Sequence, residues 1–152
     1  MDHDDDTLKG KYLIFSIGQE QYGIEIRYIT EIIGMQPITQ VPEMPGYVKG
    51  ITNLRGKIIP VMDARMRFGK ELRAYDDRTC IIVIDNNDVT TGLIVDRVLE
   101  VVIMEDEDVS SPLDTNQEGR KLIKGFGKVA NKVRLLLDCR RLLADNSLNM
   151  IA

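Results

Sequence analysis

Short runs of apolar residues, separated by turn residues, follow one another along most of this chain. Nine of these runs combine β-branched and aromatic residues with the usual length of a strand. The predicted strands are Tyr12–Ile17, Gln21–Ile26, Val48–Leu54, Lys57–Met62, Cys80–Asp85, Val89–Val95, Val98–Ile103, Leu122–Lys128 and Lys132–Leu137. Their connections are mostly short, which suits antiparallel hairpins and leaves no room for the crossovers that join parallel strands. The pattern therefore predicts an all-β fold and argues against an α/β nucleotide-binding fold.

The same order of apolar positions occurs twice along the chain. Residues 11–35 align without gaps on residues 80–104, and residues 48–68 align on residues 123–143. Few aligned residues are identical, but a glycine recurs at Gly23 and Gly92. Because a repeated pattern indicates a duplicated structural unit, we predict two small β-barrels, one in each half of the chain. Closure of the barrels would hide most of the strand edges.

The repeat also predicts how the chain is organised. We expect an acidic flexible tail at residues 1–10, a single domain at residues 11–146 and a second flexible tail at residues 147–152. Within the domain we expect a first barrel half at residues 11–69, a polar linker at 70–78, a second half at 79–144 and a solvated loop inserted at 105–120. Asp63 and Asp138 each follow a strand and can cap a helix. We therefore predict that a short helix closes each half.

Composition excludes several classes of function. The 152 residues carry a net charge of −4, so the chain lacks the basic excess that drives general nucleic-acid binding. The sole histidine, His3, lies in the acidic leader, and the chain has no tryptophan. Cys80 and Cys139 are far apart in the sequence, which is typical of buried free thiols rather than of a metal or redox pair. We therefore expect no metal, no cofactor and no histidine-based catalysis.

Motifs for targeting and for common active sites are also missing from the sequence. No long apolar run follows the acidic N-terminus, and no window approaches the roughly 18 apolar residues of a spanning helix. The motifs of nucleotide, zinc, calcium and serine-hydrolase sites do not occur. The first observation predicts a cytoplasmic protein, and the second argues against these common kinds of site.

Arg55 marks a difference between the two copies. Arg55-Gly56 aligns with Ala130-Asn131, and glycine and asparagine both tolerate the positive φ that a tight hairpin requires. An arginine at the tip of a turn contributes little to folding, whereas arginine is a preferred anchor in protein interfaces. Two interpretations of Arg55 remain open, a solvated side chain and a contact with a partner.

Glu31 and Glu100 occupy aligned positions, and each lies beside apolar residues. A carboxylate placed in this way can cap a turn or pair with a nearby arginine, whereas catalysis would need a second acid or base close by. Since the duplication places the two glutamates in different barrels, it implies no catalytic pair. Pro60 cannot donate a hydrogen bond to a ladder, so we predict that its strand lies at the edge of a sheet.

Several segments of the chain, in their order, resemble chemotaxis coupling proteins of the CheW type. The segments are Tyr22–Ile26 with Glu31-Ile32, the run GITNLRGKIIPVMD at residues 50–63, and Gly92–Val98. The most specific element is N-L-R-G-x-I-x-P, and the resemblance covers nearly all of residues 11–144. It implies a fold of two five-stranded β-barrels.

The resemblance also implies a function and its partners. It implies a non-enzymatic adaptor that binds the regulatory domain of the histidine kinase CheA and the cytoplasmic hairpin tip of chemoreceptors. Such an adaptor is recruited to membrane-bound receptor arrays and meets the membrane only indirectly, through receptors. Self-association in these arrays is left open.

Interaction residues follow from the resemblance by position. It points to Arg55 with Asn53 and Gly56, to Glu31 with Ile29, and to an apolar groove between the barrels that receives the receptor tip. The groove would draw on Ile26, Ile29, Val95 and Val98, of which we expect two to belong to the barrel core. The alternative is a small-ligand-binding or enzymatic β-barrel that uses Glu31 or Glu100, and it would need a deep pocket containing a carboxylate.

Overall fold

Eleven strands dominate the computed structural model, which describes residues 7–86, 89–111 and 122–144. The strands are β1 (Lys11–Ile17), β2 (Glu20–Glu25), β3 (Ile29–Gly34), β4 (Val48–Leu54), β5 (Lys57–Asp63), β6 (Cys80–Asn86), β7 (Val89–Val95), β8 (Arg97–Ile103), β9 (Val109–Ser110), β10 (Ile123–Val129) and β11 (Lys132–Leu137). The elements also include two short helices, α1 (Ala64–Arg67) and α2 (Cys139–Leu142), and two 3-10 turns, Ile26–Tyr28 and Asp106–Asp108. The leader with His3, residues 87–88, most of the 105–120 insertion and the tail at 147–152 lie outside the described residues.

The nine predicted strands are confirmed, each within one residue of its predicted bounds. Sequence reasoning missed β3 and the two-residue β9. The duplication could have revealed β3, because residues 29–34 align with residues 98–103, which the apolar pattern does predict as a strand. The expectation of a loop at 105–120 is corrected for residues 106–110, which form the second 3-10 turn and β9.

The strands form two sheets, and each sheet takes strands from both halves of the chain. One sheet has six strands in the order β8-β1-β2-β11-β10-β9, and the other has five in the order β3-β6-β7-β5-β4. Replacing each strand by its aligned strand in the other copy converts one order into the other, apart from β9. The mainly β fold with two duplicated sheets is thus confirmed. The prediction that each half of the chain builds its own barrel is corrected, and closure of each sheet into a barrel remains a prediction.

The chain changes sheet at two aligned places. The 3-10 turn Ile26–Tyr28 leads from β2 in the six-stranded sheet to β3 in the five-stranded sheet. Asp96, which separates β7 from β8, leads back from the five-stranded to the six-stranded sheet. Because the two crossings occupy aligned positions, each residue near one crossing has an aligned counterpart near the other.

The middle strands of each sheet are buried on both faces. In β1, Leu13 and Phe15 pack into a central core that contains residues of both sheets, whereas Ile14 packs inside the six-stranded sheet. In β6, Ile82 likewise faces the central core and Ile81 packs inside the five-stranded sheet. Because successive side chains of a strand point to opposite faces, two buried faces require the continuous apolar runs seen in the sequence.

The two predicted short helices are present after their capping aspartates. The Asp63 carboxylate accepts hydrogen bonds from the backbone N–H groups of Arg65 and Met66, and the Asp138 carboxylate accepts one from Arg141. These bonds satisfy backbone donors that the first turn of a helix leaves free. Among the described residues, no helix has the length and the apolar character needed to cross a bilayer.

The prediction that Pro60 marks an edge strand is wrong. The strand that contains it, β5, is paired antiparallel with β4 and parallel with β7, so the expectation that no strands pair in parallel is also wrong. Ile51, opposite Pro60 on β4, directs its N–H and carbonyl to Thr39, and pairing with β7 begins at Val61. The missing N–H of Pro60 therefore removes no bond from either ladder, which explains how an interior strand tolerates it.

The recurring glycine is explained by close packing inside each sheet, and this gives a test. A Cβ atom on Gly92 would come within 2.8 Å of Cγ2 of Ile81, and one on Gly23 within 2.9 Å of Cδ2 of Leu136. We expect Gly92→Ala to lower the free energy of unfolding by about 1–3 kcal/mol through overpacking, measured by denaturant titration. The control is Gly34→Ala in β3, where an added Cβ meets no atom within 4 Å. Equal stability of the two variants would contradict the packing explanation.

Candidate functional site

The turn between β4 and β5 presents Arg55 to solvent. Arg55 and Gly56 have φ values of 53° and 87°, and the Asn53 side-chain oxygen accepts a hydrogen bond of 2.7 Å from the N–H of Gly56. Asn53 and Gly56 thus build the turn rather than extend from it. The aligned residues Ala130 and Asn131 have φ values of 54° and 62°. Positive φ at this place is therefore a requirement of the duplicated hairpin and not a special property of Arg55.

Arg55 makes a bidentate ion pair with Glu31. Its two terminal nitrogens donate to the two carboxylate oxygens at 2.6 and 2.8 Å. This hydrogen bonding, followed by the charge of the carboxylate, raises the pKa of Arg55 above its usual value. Glu31 lies on β3 and Arg55 follows β4, which are the two end strands of the five-stranded sheet. The pair thus connects the two ends of that sheet, while the Arg55 side chain remains 74% exposed.

Glu100 pairs with a buried arginine, whereas the arginine that pairs with Glu31 is exposed. Its partner Arg134, on β11, is only 3% exposed and donates to Glu100 at 3.3 Å, to the side-chain oxygen of Gln21 at 2.9 Å and to the carbonyl of Val129 at 3.1 Å. These contacts connect four strands of the six-stranded sheet. The aligned glutamates therefore both bind arginine, which was one of the open interpretations. Arg134 is held inside the fold, and only Arg55 is displayed at the surface.

Three of the four predicted groove residues lie where the central core reaches the surface. Ile26, Ile29 and Val98 are half-buried and pack against core residues of both sheets. Val95 is 1% exposed and belongs to the core itself, so it offers no surface to a partner. Ile26 and Ile29 lie at the first crossing between the sheets, and Val98 lies just after the second.

Further apolar side chains, which sequence reasoning missed, continue outward from these positions. Ile32 on β3 is 44% exposed, and Val101 at the aligned position on β8 is 53% exposed. Ile103, at the end of β8, is exposed as well. A bulge between Ile29 and Glu31 brings Ile29 and Ile32 to the same face of β3, and simple alternation along the strand would not have predicted this. We call Ile26, Ile29, Ile32, Val98, Val101 and Ile103 the β3–β8 surface.

Cys80 shows how β3 and β8 lie relative to each other. It is paired with Gly34, the last residue of β3, and its thiol sulfur accepts a hydrogen bond from the backbone N–H of Val98, near the start of β8. The end of β3 thus lies close to the start of β8. Burial raises the pKa of the Cys80 thiol despite this bond, and burial followed by the charge of Glu25 raises the pKa of Cys139 to about 12. Both cysteines are free thiols.

Asp96 ties the two sheets together at the second crossing. Its carboxylate accepts two hydrogen bonds from the Arg65 guanidinium, at 2.9 and 2.6 Å, and one of 2.7 Å from the backbone N–H of Gly18. Gly18 belongs to the β1–β2 turn of the six-stranded sheet, whereas Arg65 follows β5 of the five-stranded sheet. Burial by itself would raise the pKa of Asp96, but the bonds from Arg65 and Gly18 and the nearby positive charges lower it overall.

Two cavities lie away from the aligned glutamates. A cavity of about 460 Å³ is lined by residues of the β3–β4 loop and Tyr75, and one of about 450 Å³ by residues at the starts of β2 and β11. Glu31 and Glu100 line neither cavity. Within residues 7–86, 89–111 and 122–144, no group of three or more His, Cys, Asp or Glu side chains is placed to hold a metal ion.

This duplicated pair of β-sheets, with its exposed apolar surface and displayed arginine, is shared with a family of scaffold proteins. The chain belongs to the CheW family, because the model of the CheW-like domain matches residues 11–147. It is 31% identical over 147 residues to the chemotaxis protein CheW of Klebsiella aerogenes, an alignment that covers 96% of this chain and 89% of the relative. It is 34% identical over 143 residues to the chemotaxis protein CheW of Treponema pallidum, with 91% and 84% covered.

A solved structure agrees with this assignment. The scaffolding protein TtCheW from Thermoanaerobacter tengcongensis superposes with a TM-score of 0.80 at 33% identity, covering 85% of this chain and 88% of that chain. That protein is described as a scaffolding protein, and the two relatives are named as chemotaxis proteins. The chain is therefore a non-enzymatic scaffold of chemotaxis signalling, as the resemblance predicted.

The role of Asp96 in joining the sheets can be tested by mutation and by measuring stability as a function of pH. The pKa of Asp96 is lower in the folded chain than in the unfolded chain, where it is about 3.9. The carboxylate therefore stabilises the fold at a pH above the unfolded-state pKa, and this stabilisation is lost as the pH falls through the folded-state pKa. We expect Asp96→Asn to lower the free energy of unfolding at pH 7 by about 2–3 kcal/mol. The variant should also lose less stability than the wild type below about pH 4. The control is Asp77→Asn on the exposed linker, and parallel acid profiles of all three proteins would contradict the assignment.

Proposed function

We propose that this chain is a cytoplasmic adaptor that couples chemoreceptors to the histidine kinase CheA in membrane-bound receptor arrays. Its mechanism is geometric, because an adaptor that holds both partners at fixed positions lets a conformational change in the receptor reach the kinase. Membership of the CheW family supports this function. The observation that carries it is the β3–β8 surface, where Ile32 and Val101 expose aligned apolar side chains.

The β3–β8 surface is the proposed site for the cytoplasmic hairpin tip of the receptor. Half-buried Ile29 and Val98 form its base, and Ile32 and Val101 stand on either side. Recognition of a helix by a groove uses an apolar stripe for affinity and charges at the rim for register. Exposed apolar side chains at aligned positions on two strands provide such a stripe, and a monomer gains nothing from leaving them in water.

The Arg55 turn is the proposed contact for the regulatory domain of CheA. The Glu31 carboxylate holds the guanidinium at a fixed place, so little side-chain entropy is lost when a partner binds it. Ile58, the second residue of β5, is exposed and adds an apolar contact beside the turn. Arginine is one of the residue types enriched in binding hot spots.

Weak contacts are sufficient for such an adaptor. A transient contact buries about 1,200 Å² or less in total, and repeated attachment within an array raises the effective concentration of each partner. Val133 occupies the position aligned with Ile58 and is also exposed. We include self-association through these two aligned positions in the proposal, since a chain with similar apolar sites in both copies can bind neighbours on two sides.

Titrations with both partners test the proposed function. We expect the folded chain to bind the regulatory domain of CheA and a soluble cytoplasmic receptor fragment at the same time, since the two proposed sites are separate. Calorimetry with each partner alone, and then with the second partner added, measures this. The receptor fragment should also slow the reaction of Cys80 with a thiol reagent, because Cys80 contacts Val98 in the proposed receptor site. Lack of binding to either partner would refute the function, and competition between them would refute the separate sites.

Variants of the Glu31–Arg55 pair test which part of it a partner recognises. We expect Arg55→Ala to weaken binding of the CheA domain while the Tm changes little, because an exposed ion pair contributes little to stability. The exchanged variant E31R/R55E keeps an ion pair but moves the guanidinium to β3. If the partner binds the guanidinium of the turn, the exchange should not restore affinity.

The matched control is Arg78→Ala, which removes an exposed arginine of the linker. Its affinity for both partners should equal that of the wild type. A large drop in Tm for Arg55→Ala would show that Arg55 is structural. Full recovery of binding in the exchanged variant would show that the pair acts by fixing the sheet rather than by contacting the kinase.

A further inference from the structure

The β3–β8 surface is built from aligned residues of the two copies, which creates a problem of orientation. The end of β3 lies beside the start of β8. The 3-10 turn that leads into β3 contacts β1, and Lys11 of β1 is paired with Ile103 at the end of β8. The two strands therefore flank the surface in opposite directions. An elongated apolar partner would find nearly equal contacts in either direction, because Ile29 and Ile32 on β3 correspond to Val98 and Val101 on β8. Apolar contacts alone cannot select one direction.

The two copies differ in charge just beyond these strands. After β8 the chain continues as Glu105-Asp106-Glu107, whereas the aligned residues after β3 are Gln36-Pro37-Ile38. The three acidic residues are all exposed and begin two residues after Ile103. Lys9 and Lys11 lie on either side of Gly10, whose carbonyl accepts a hydrogen bond from the N–H of Met104, so they offset two of the four acidic charges at residues 105–108. One end of the surface is therefore net negative, and its counterpart has no acidic residue at the aligned positions.

We propose that the acidic segment Glu105–Glu107 sets the direction in which the receptor hairpin lies on the β3–β8 surface, by pairing with a lysine or arginine on one arm of the helical tip. This inference rests on the proposed function. The apolar residues supply the affinity, and the acidic segment makes one of the two directions more favourable than the other. Exposed charges at the rim of an interface act chiefly on the association rate and the register.

The arrangement of the acidic segment indicates which residues to change. The Glu105 and Asp108 side chains form the capping box of the 3-10 turn, in which Asp108 accepts a 2.9 Å hydrogen bond from the N–H of Glu105. Changing either of them would disturb the turn itself. Asp106 and Glu107 are outside the capping box, so the double variant D106N/E107Q removes two charges and keeps the backbone.

The first measurement is the affinity for the soluble receptor fragment as a function of salt. At low ionic strength we expect D106N/E107Q to bind about three- to tenfold more weakly than the wild type, mostly through slower association. The difference should vanish near 1 M salt, where the Debye length is about 3 Å. The matched control E71Q/D77N removes two exposed charges from the linker and should behave as the wild type does.

The second measurement determines in which direction the receptor fragment lies on the β3–β8 surface. A nitroxide is placed on one arm of the receptor fragment, and the broadening of amide signals along β3 and β8 is recorded by NMR. With the wild type we expect broadening at one end of the surface, near either the end of β8 or the end of β3. With D106N/E107Q we expect broadening at both ends, because the two directions become nearly equal in free energy.

A third variant separates this inference from the proposed function. V101S/I103T removes apolar contacts and should weaken receptor binding more than tenfold at every salt concentration. If that variant loses binding while D106N/E107Q keeps the affinity and the single direction of the wild type, the surface is correct and the orientation proposal is overturned. If V101S/I103T binds as well as the wild type does, the receptor site lies elsewhere and both proposals fail.

Discussion

The structure depends on the apolar core that the two sheets share. Phe15 from the six-stranded sheet and Ile82 from the five-stranded sheet belong to the same buried cluster, while their neighbours Ile14 and Ile81 fill the inside of each sheet. Because strands are exchanged between the copies, neither sheet can form without residues from both halves of the chain. The duplicated protein is therefore one structural unit, and the Asp96 carboxylate adds a polar contact to both sheets where the chain crosses.

Strand exchange also explains why the surface residues occur in pairs. Each crossing leaves one strand, β3 or β8, at the end of a sheet with its outer face only partly covered. The apolar residues of these strands that pack against the shared core are followed by further apolar residues, which lie beyond the end of the core. Ile32 and Val101 are therefore exposed. The copies can then diverge in charge at the rim without affecting the core. Glu105 against Gln36 is one such difference, and Arg55 against Ala130 is another.

In the Arg55 turn the fold requires the backbone conformation but not the identity of the side chain. Both hairpins use two residues with positive φ, and arginine and alanine occupy the same strained position in the two copies. The backbone of the turn is thus fixed by the duplicated fold, and the identity of the side chain is free. Pairing with Glu31 then holds the arginine in one position although most of its side chain remains in water. Neither of the two initial interpretations of Arg55 anticipated that combination.

The sequence by itself determined nine of the eleven strands, the duplication, the capping aspartates and the family, because these depend on local periodicity and on motifs of contiguous residues. It could not determine which strands pair across the two copies. Strands such as β1 and β6 are apolar on both faces, so either copy could supply their neighbours, and only packing of the whole chain decides. The burial of Val95, the exposure of Ile32 and the partners of Glu31 and Glu100 follow from that choice. They were decided by the tertiary structure, since each depends on residues far apart in the chain.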